Sequence, residues 1–70
     1  MLNTKPIFEF MVKNDLTSAE LAYMCDISVL MLNRLIVGTE RLWVGKTVRI
    51  ARVVGVAFEE LTFAYLVKPS

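Results

Sequence analysis

The chain contains no histidine and one cysteine, Cys25. The commonest metal ligand and general base is therefore missing, and with no Cys/His cluster a zinc site is not expected. A single cysteine forms no internal disulfide. Three glycines build no phosphate-cradling loop, and no nucleophile–base pair stands out, so neither an enzyme nor a cofactor is expected. No apolar run approaches the roughly 18 residues that a membrane span needs. The opening Met1-Leu2-Asn3-Thr4-Lys5-Pro6 lacks the long apolar core of a signal peptide. These absences predict a cytoplasmic protein with no membrane partner.

What is present is largely apolar. The hydrophobic share is 56% in 70 residues, high for a small soluble domain. The length predicts one domain over 1–70 with one small core. Such a core leaves some apolar residues outside, where a contiguous patch marks a partner site. The net charge of +1 hides an asymmetry. Residues 1 to 33 hold Lys5 and Lys13 against Glu9, Asp15, Glu20 and Asp26, whereas residues 34 to 52 hold Arg34, Arg41, Lys46, Arg49 and Arg52 against Glu40 alone. A basic middle segment suits phosphate contacts, and a solvated helix face gives the same count.

Helical periodicity accounts for nearly the whole chain. Ile7, Phe8, Phe10 and Met11 share one arc of a first helix that ends near Asn14-Asp15. Thr17, with Glu20 three residues on, makes a capping box at the start of a second helix, whose predicted buried side is Leu21, Ala22, Met24 and Cys25. Cys25 reads as a small core residue rather than a reactive thiol. Asp26-Ile27-Ser28 is a turn, and Ser28 caps a third helix to Val37, stopped by Gly38. On that helix Ser28, Met31, Leu32, Leu35 and Ile36 oppose an outward arc of Val29, Leu30, Asn33, Arg34 and Val37. A loop, Thr39 to Trp43, follows. The fourth helix, Val44 to Val54, is expected to bury Val44, Thr47, Ile50, Ala51 and Val54, to keep Lys46, Arg49 and Arg52 outside, and to stop at Gly55. The fifth, Ala57 to Tyr65, is expected to bury Phe58, Leu61 and Tyr65, with Glu59 and Glu60 suiting its dipole. A short tail, 67–70, is expected to fray.

Residues 16–61 resemble the lambda-repressor-like, Cro/CI-type helix-turn-helix family, also called the XRE family. The resemblance lies in the opening Leu16-Thr17-Ser18-Ala19-Glu20-Leu21-Ala22, in Ile27-Ser28 at the turn, and in Leu32, Leu35 and Gly38. It continues through Ile50-Ala51, Val54-Gly55-Val56 and Glu59-Glu60-Leu61. It implies an all-α, five-helix domain with the helix-turn-helix at helices two and three, often dimeric, and common among phage and prophage regulators. Asp26 stands where the family often has glycine, and Asp tolerates left-handed geometry better than most residues. Met11 and Ile36 stand where family members often carry an Arg–Glu ion pair. Val29 and Leu30 stand where the family usually carries polar residues.

Two readings of the third helix follow. In the first, the chain is a transcriptional regulator that binds double-stranded operator DNA. Asn33 and Arg34 pair with base edges or phosphates, Val29 and Leu30 pack on thymine methyls, and Ser18, Ser28 and Arg41 supply the remaining contacts. In the second, Val29, Leu30, Val37, Leu42 and Trp43 form an apolar surface for a phage repressor protein, and the chain acts as an antirepressor or modulator. The C-terminal Phe63, Leu66 and Val67 fall off the buried arc of helix five, and Phe63 and Leu66 are candidates for a homodimer seam.

Overall fold

A computed structural model describes residues 2–38 and 44–66, with side chains to residue 62. Five α-helices follow one another, and no strand occurs among the described residues. α1 spans Lys5–Asn14, α2 Ser18–Met24, α3 Val29–Val37, α4 Val44–Val54 and α5 Phe58–Leu66. Pro6 lies in the first turn of α1, where a missing amide costs nothing. α1 then ends on Asp15 in the left-handed region. There the Leu16 N–H donates to the Met11 carbonyl at 2.9 Å and the Asp15 N–H to Val12 at 3.3 Å. That pair of bonds is a Schellman stop, which satisfies carbonyls the helix leaves over.

The start of α2 is held by the expected capping box. The Thr17 N–H donates to Glu20 Oε1 at 3.0 Å, and the Glu20 N–H donates to Thr17 Oγ1 at 3.2 Å. Its end repeats the Schellman pattern, with Asp26 left-handed (φ 57°) and the Ile27 N–H donating to the Ala22 carbonyl at 3.0 Å. Ser28 Oγ then accepts the Met31 N–H at 3.0 Å and caps α3, which Gly38 closes at φ 80°. Gly55, at φ 83°, follows α4.

α2 packs on α3, and α4 packs on both α1 and α5. One shared core joins the two groups. It comprises Ile7, Leu21, Ala22, Cys25, Leu32, Leu35, Ile50, Ala51 and Leu61, with Leu2 added from the segment before α1. Met11 and Ile36 are both half-buried against this core.

Three expectations about burial need correction. Phe8 and Met24 are exposed, because at about 100° per residue each lies roughly 100° from the centre of its helix's buried arc. Val44 is exposed as well, since it opens α4 a turn ahead of the first buried residue, Thr47. Val54 and Phe58 are half-buried, and Thr62 is buried where the sequence reading had not placed it. α5 begins at Phe58, one residue later than expected. Arg41, Leu42, Trp43 and the 67–70 tail lie outside the described residues, as do the side chains of Phe63, Tyr65 and Leu66. Among the described residues no helix is long and apolar enough to cross a membrane, and no three potential metal ligands gather.

Candidate functional site

α3 is fixed from behind and open in front. Leu32 and Leu35 are fully buried, and the Ser28 cap and the Asp26 turn hold its start. The opposite arc is exposed along its whole length. Val29 is 43%, Leu30 59% and Val37 61% accessible, and Asn33 and Arg34 are exposed between them. The surface thus has branched aliphatics at both ends and a polar pair in the middle. Asn33 brings both an acceptor and donors, and Arg34 a planar fork of donors. Val44 at the start of α4 is a further exposed aliphatic.

The remaining predicted contacts are placed less favourably. Ser18, in the first turn of α2, is half-buried. Thr17 and Glu20 already occupy amides at that helix start. Ser28 is exposed, and its oxygen accepts the Met31 amide, which leaves its hydroxyl proton available to a phosphate. Burial pushes the Cys25 thiol up from its ordinary value, and the side chain packs within the core.

Two features escaped the sequence reading. Arg49, expected only as an outward cation, donates from Nη1 to the Asp26 carbonyl at 3.2 Å and lies 3.7 Å from Asp26 Oδ2. Sequence spacing gives no sign of this, because 23 residues separate the pair. Tyr23 is the second. It is 87% exposed on the far side of α2. With Leu16, Ala19, Glu20 and Met24 it lines a shallow, mainly apolar depression, and with Asp26, Ile27 and Ser28 a second one of more polar character. The signal for Tyr23 was available, since it falls opposite Leu21 and Cys25 on the helical wheel.

No family model, curated protein or solved structure matches the chain. The functional reading therefore rests on these residues.

Proposed function

We propose that the chain is a transcriptional regulator of the Cro/CI type, in which α2, the turn and α3 form a helix-turn-helix and α3 enters the major groove of operator DNA. The observation that carries this is the exposed Asn33–Arg34 pair at the middle of α3, on a helix whose other face is locked into the core. Arg34 reaches guanine O6 and N7 or a phosphate, and Asn33 matches adenine N6 and N7. Val29 and Leu30 pack on thymine methyls, a contact with less selectivity. Ser18, Ser28 and Arg41 take phosphates and set the register. The mild basicity of the chain makes a single copy a weak binder. A homodimer through Phe63 and Leu66 would engage two half-sites and raise affinity without new base contacts.

The test is a salt titration of binding to the promoter duplex flanking the chain's own gene. Affinity of the wild type falls steeply with salt, and Arg34→Ala weakens binding and lowers the logarithmic salt slope by about 1 if Arg34 holds a phosphate. Absence of binding at low salt would sink the reading.

A second reading is favoured by one observation, the exposure of Val29, Leu30 and Val37 on the same helix. In it the chain docks this apolar surface, with Leu42 and Trp43, on a repressor's DNA-reading domain and releases that repressor from DNA. The same titration separates the two. A chain of the second kind leaves the duplex alone and removes the repressor bound to it.

A further inference from the structure

We infer that Arg49 is a positioning residue for α3, setting the angle at which the recognition face is presented by gripping the turn from which α3 departs. α3 packs chiefly on α2, whereas α4 belongs with α1 and α5. Arg49 on α4 reaches across this division to the Asp26 carbonyl at 3.2 Å, with the Asp26 carboxylate 3.7 Å away. Asp26 is the left-handed residue of the turn, so its carbonyl orientation and the start of α3 three residues later are coupled. A non-glycine residue in that conformation is intrinsically disfavoured. A charged donor on the carbonyl and an opposite charge on the side chain both favour it.

The effect on DNA affinity rests on the reading proposed above, and the effect on helix orientation does not. The experiment therefore has two arms, both on the full chain. The first compares backbone amide residual dipolar couplings of the wild type with those of Arg49→Met, Arg49→Lys and Arg52→Met. Arg49→Met turns α3 relative to α4, Arg49→Lys restores part of the wild-type orientation, and Arg52→Met changes neither. Unchanged α3 couplings in Arg49→Met overturn the inference. If that variant does not fold, Arg49→Gln, which keeps a polar side chain but lacks the guanidinium and its reach, takes its place in the comparison.

The second arm repeats the salt titration on the promoter duplex. A turned α3 misaligns its contacts with the duplex, so Arg49→Met binds about tenfold more weakly, the loss of one well-placed contact, and the salt slope stays unchanged because no phosphate contact is lost. A slope lowered by about 0.9 in Arg49→Met would show Arg49 to be a direct phosphate contact and overturn the inference. Should the wild type bind no duplex, the DNA reading fails alone, and the orientation arm decides the role of Arg49.

Discussion

The Asn3 N–H donates to the Leu61 carbonyl at 2.8 Å, and the Asn3 side-chain amide donates to the Glu60 carbonyl at 3.1 Å. This clasp ties the segment before α1 to α5, 57 residues away, and seats Leu2 in the core. Leu2→Ala should therefore behave as a core truncation and not as a terminal change. The expected loss is about 2 kcal/mol, at the low end for leucine because the non-helical segment before α1 can partly collapse into the space. For a domain of this size that is a large share of the total. Urea unfolding with an unchanged m-value is the check. A midpoint within error of wild type would mean that the clasp is open in solution.

The capping box gives a pH-dependent prediction. The Thr17 backbone and hydroxyl hydrogen bonds hold the Glu20 carboxyl below its ordinary value. A carboxyl lowered in the folded state stabilises it fully only well above the unfolded value, near 4.3, and loses that contribution as pH falls through the lowered value. Glu20→Gln should thus differ from wild type at neutral pH and converge on it in acid. Thr17→Ala removes the hydroxyl acceptor at every pH and costs about 1 kcal/mol. Thermal midpoints of the three proteins between neutral and strongly acidic pH would show a closing gap for Glu20→Gln and a persisting one for Thr17→Ala.

How much of this was legible in the sequence follows from the range of the interaction. Thr17–Glu20, Ser28–Met31 and the glycine stops are local, and the spacing of residue types announces them. Leu32, Leu35, Ile50 and Leu61 are central on their arcs, so periodicity identifies them as core. Phe8 and Met24 lie at arc edges, where only the neighbouring helix decides. The reach of Arg49 to Asp26, the clasp of Asn3 on α5 and the burial of Leu2 depend on how distant segments meet, which no helical period encodes. Exposure of the Val29, Leu30 and Val37 arc was legible. What it binds was not, because aliphatic side chains suit thymine methyls and protein grooves alike.

Asp15 and Asp26 both end helices in the left-handed region, at φ 52° and 57°, yet they should respond differently to glycine. At Asp15 the replacement removes steric strain and should stabilise by about 0.5–1 kcal/mol, net of the greater freedom of glycine in the unfolded chain. At Asp26 it also removes the carboxylate beside Arg49. An exposed pair of this kind is worth about 0–1 kcal/mol, so the gain should shrink to nearly nothing. Parallel denaturant titrations measure the difference. Equal gains at the two sites would show that the Arg49 ion pair contributes nothing to stability.

Thr47 is fully buried on α4, and its hydroxyl oxygen has no hydrogen-bond partner among the described residues. Burying an unsatisfied hydroxyl is costly, whereas a methyl of the same shape is at home in that position. Thr47→Val should raise stability by about 1 kcal/mol, or roughly 4–8 °C in a domain of this length. Thr47→Ser keeps the orphan hydroxyl, loses a methyl and should be destabilising. If Thr47→Val melts below wild type, the hydroxyl has a partner in solution, such as a trapped water.

Leu30 distinguishes the two functional readings through one substitution. It is 59% exposed and lies at the opening of the outward arc of α3, so Leu30→Lys should leave stability within about 0.5 kcal/mol of wild type. In the major groove the lysine forfeits the thymine-methyl contact of Leu30 but adds a cation within reach of the phosphates, so DNA binding persists while the salt slope steepens by about 0.9. Against an apolar groove on a protein the same lysine places a charge where an aliphatic anchor was buried, and affinity falls. Asn33→Ala sharpens the contrast. It should relax sequence preference on DNA, since an asparagine–adenine pair discriminates by about 1–3 kcal/mol, and should matter little on an apolar partner. Retained DNA binding with a steeper salt slope in Leu30→Lys, together with blunted selectivity in Asn33→Ala, is the outcome expected of a groove-reading helix. Loss of repressor release by Leu30→Lys, with DNA binding absent throughout, would identify the aliphatic ends of α3 as the working surface.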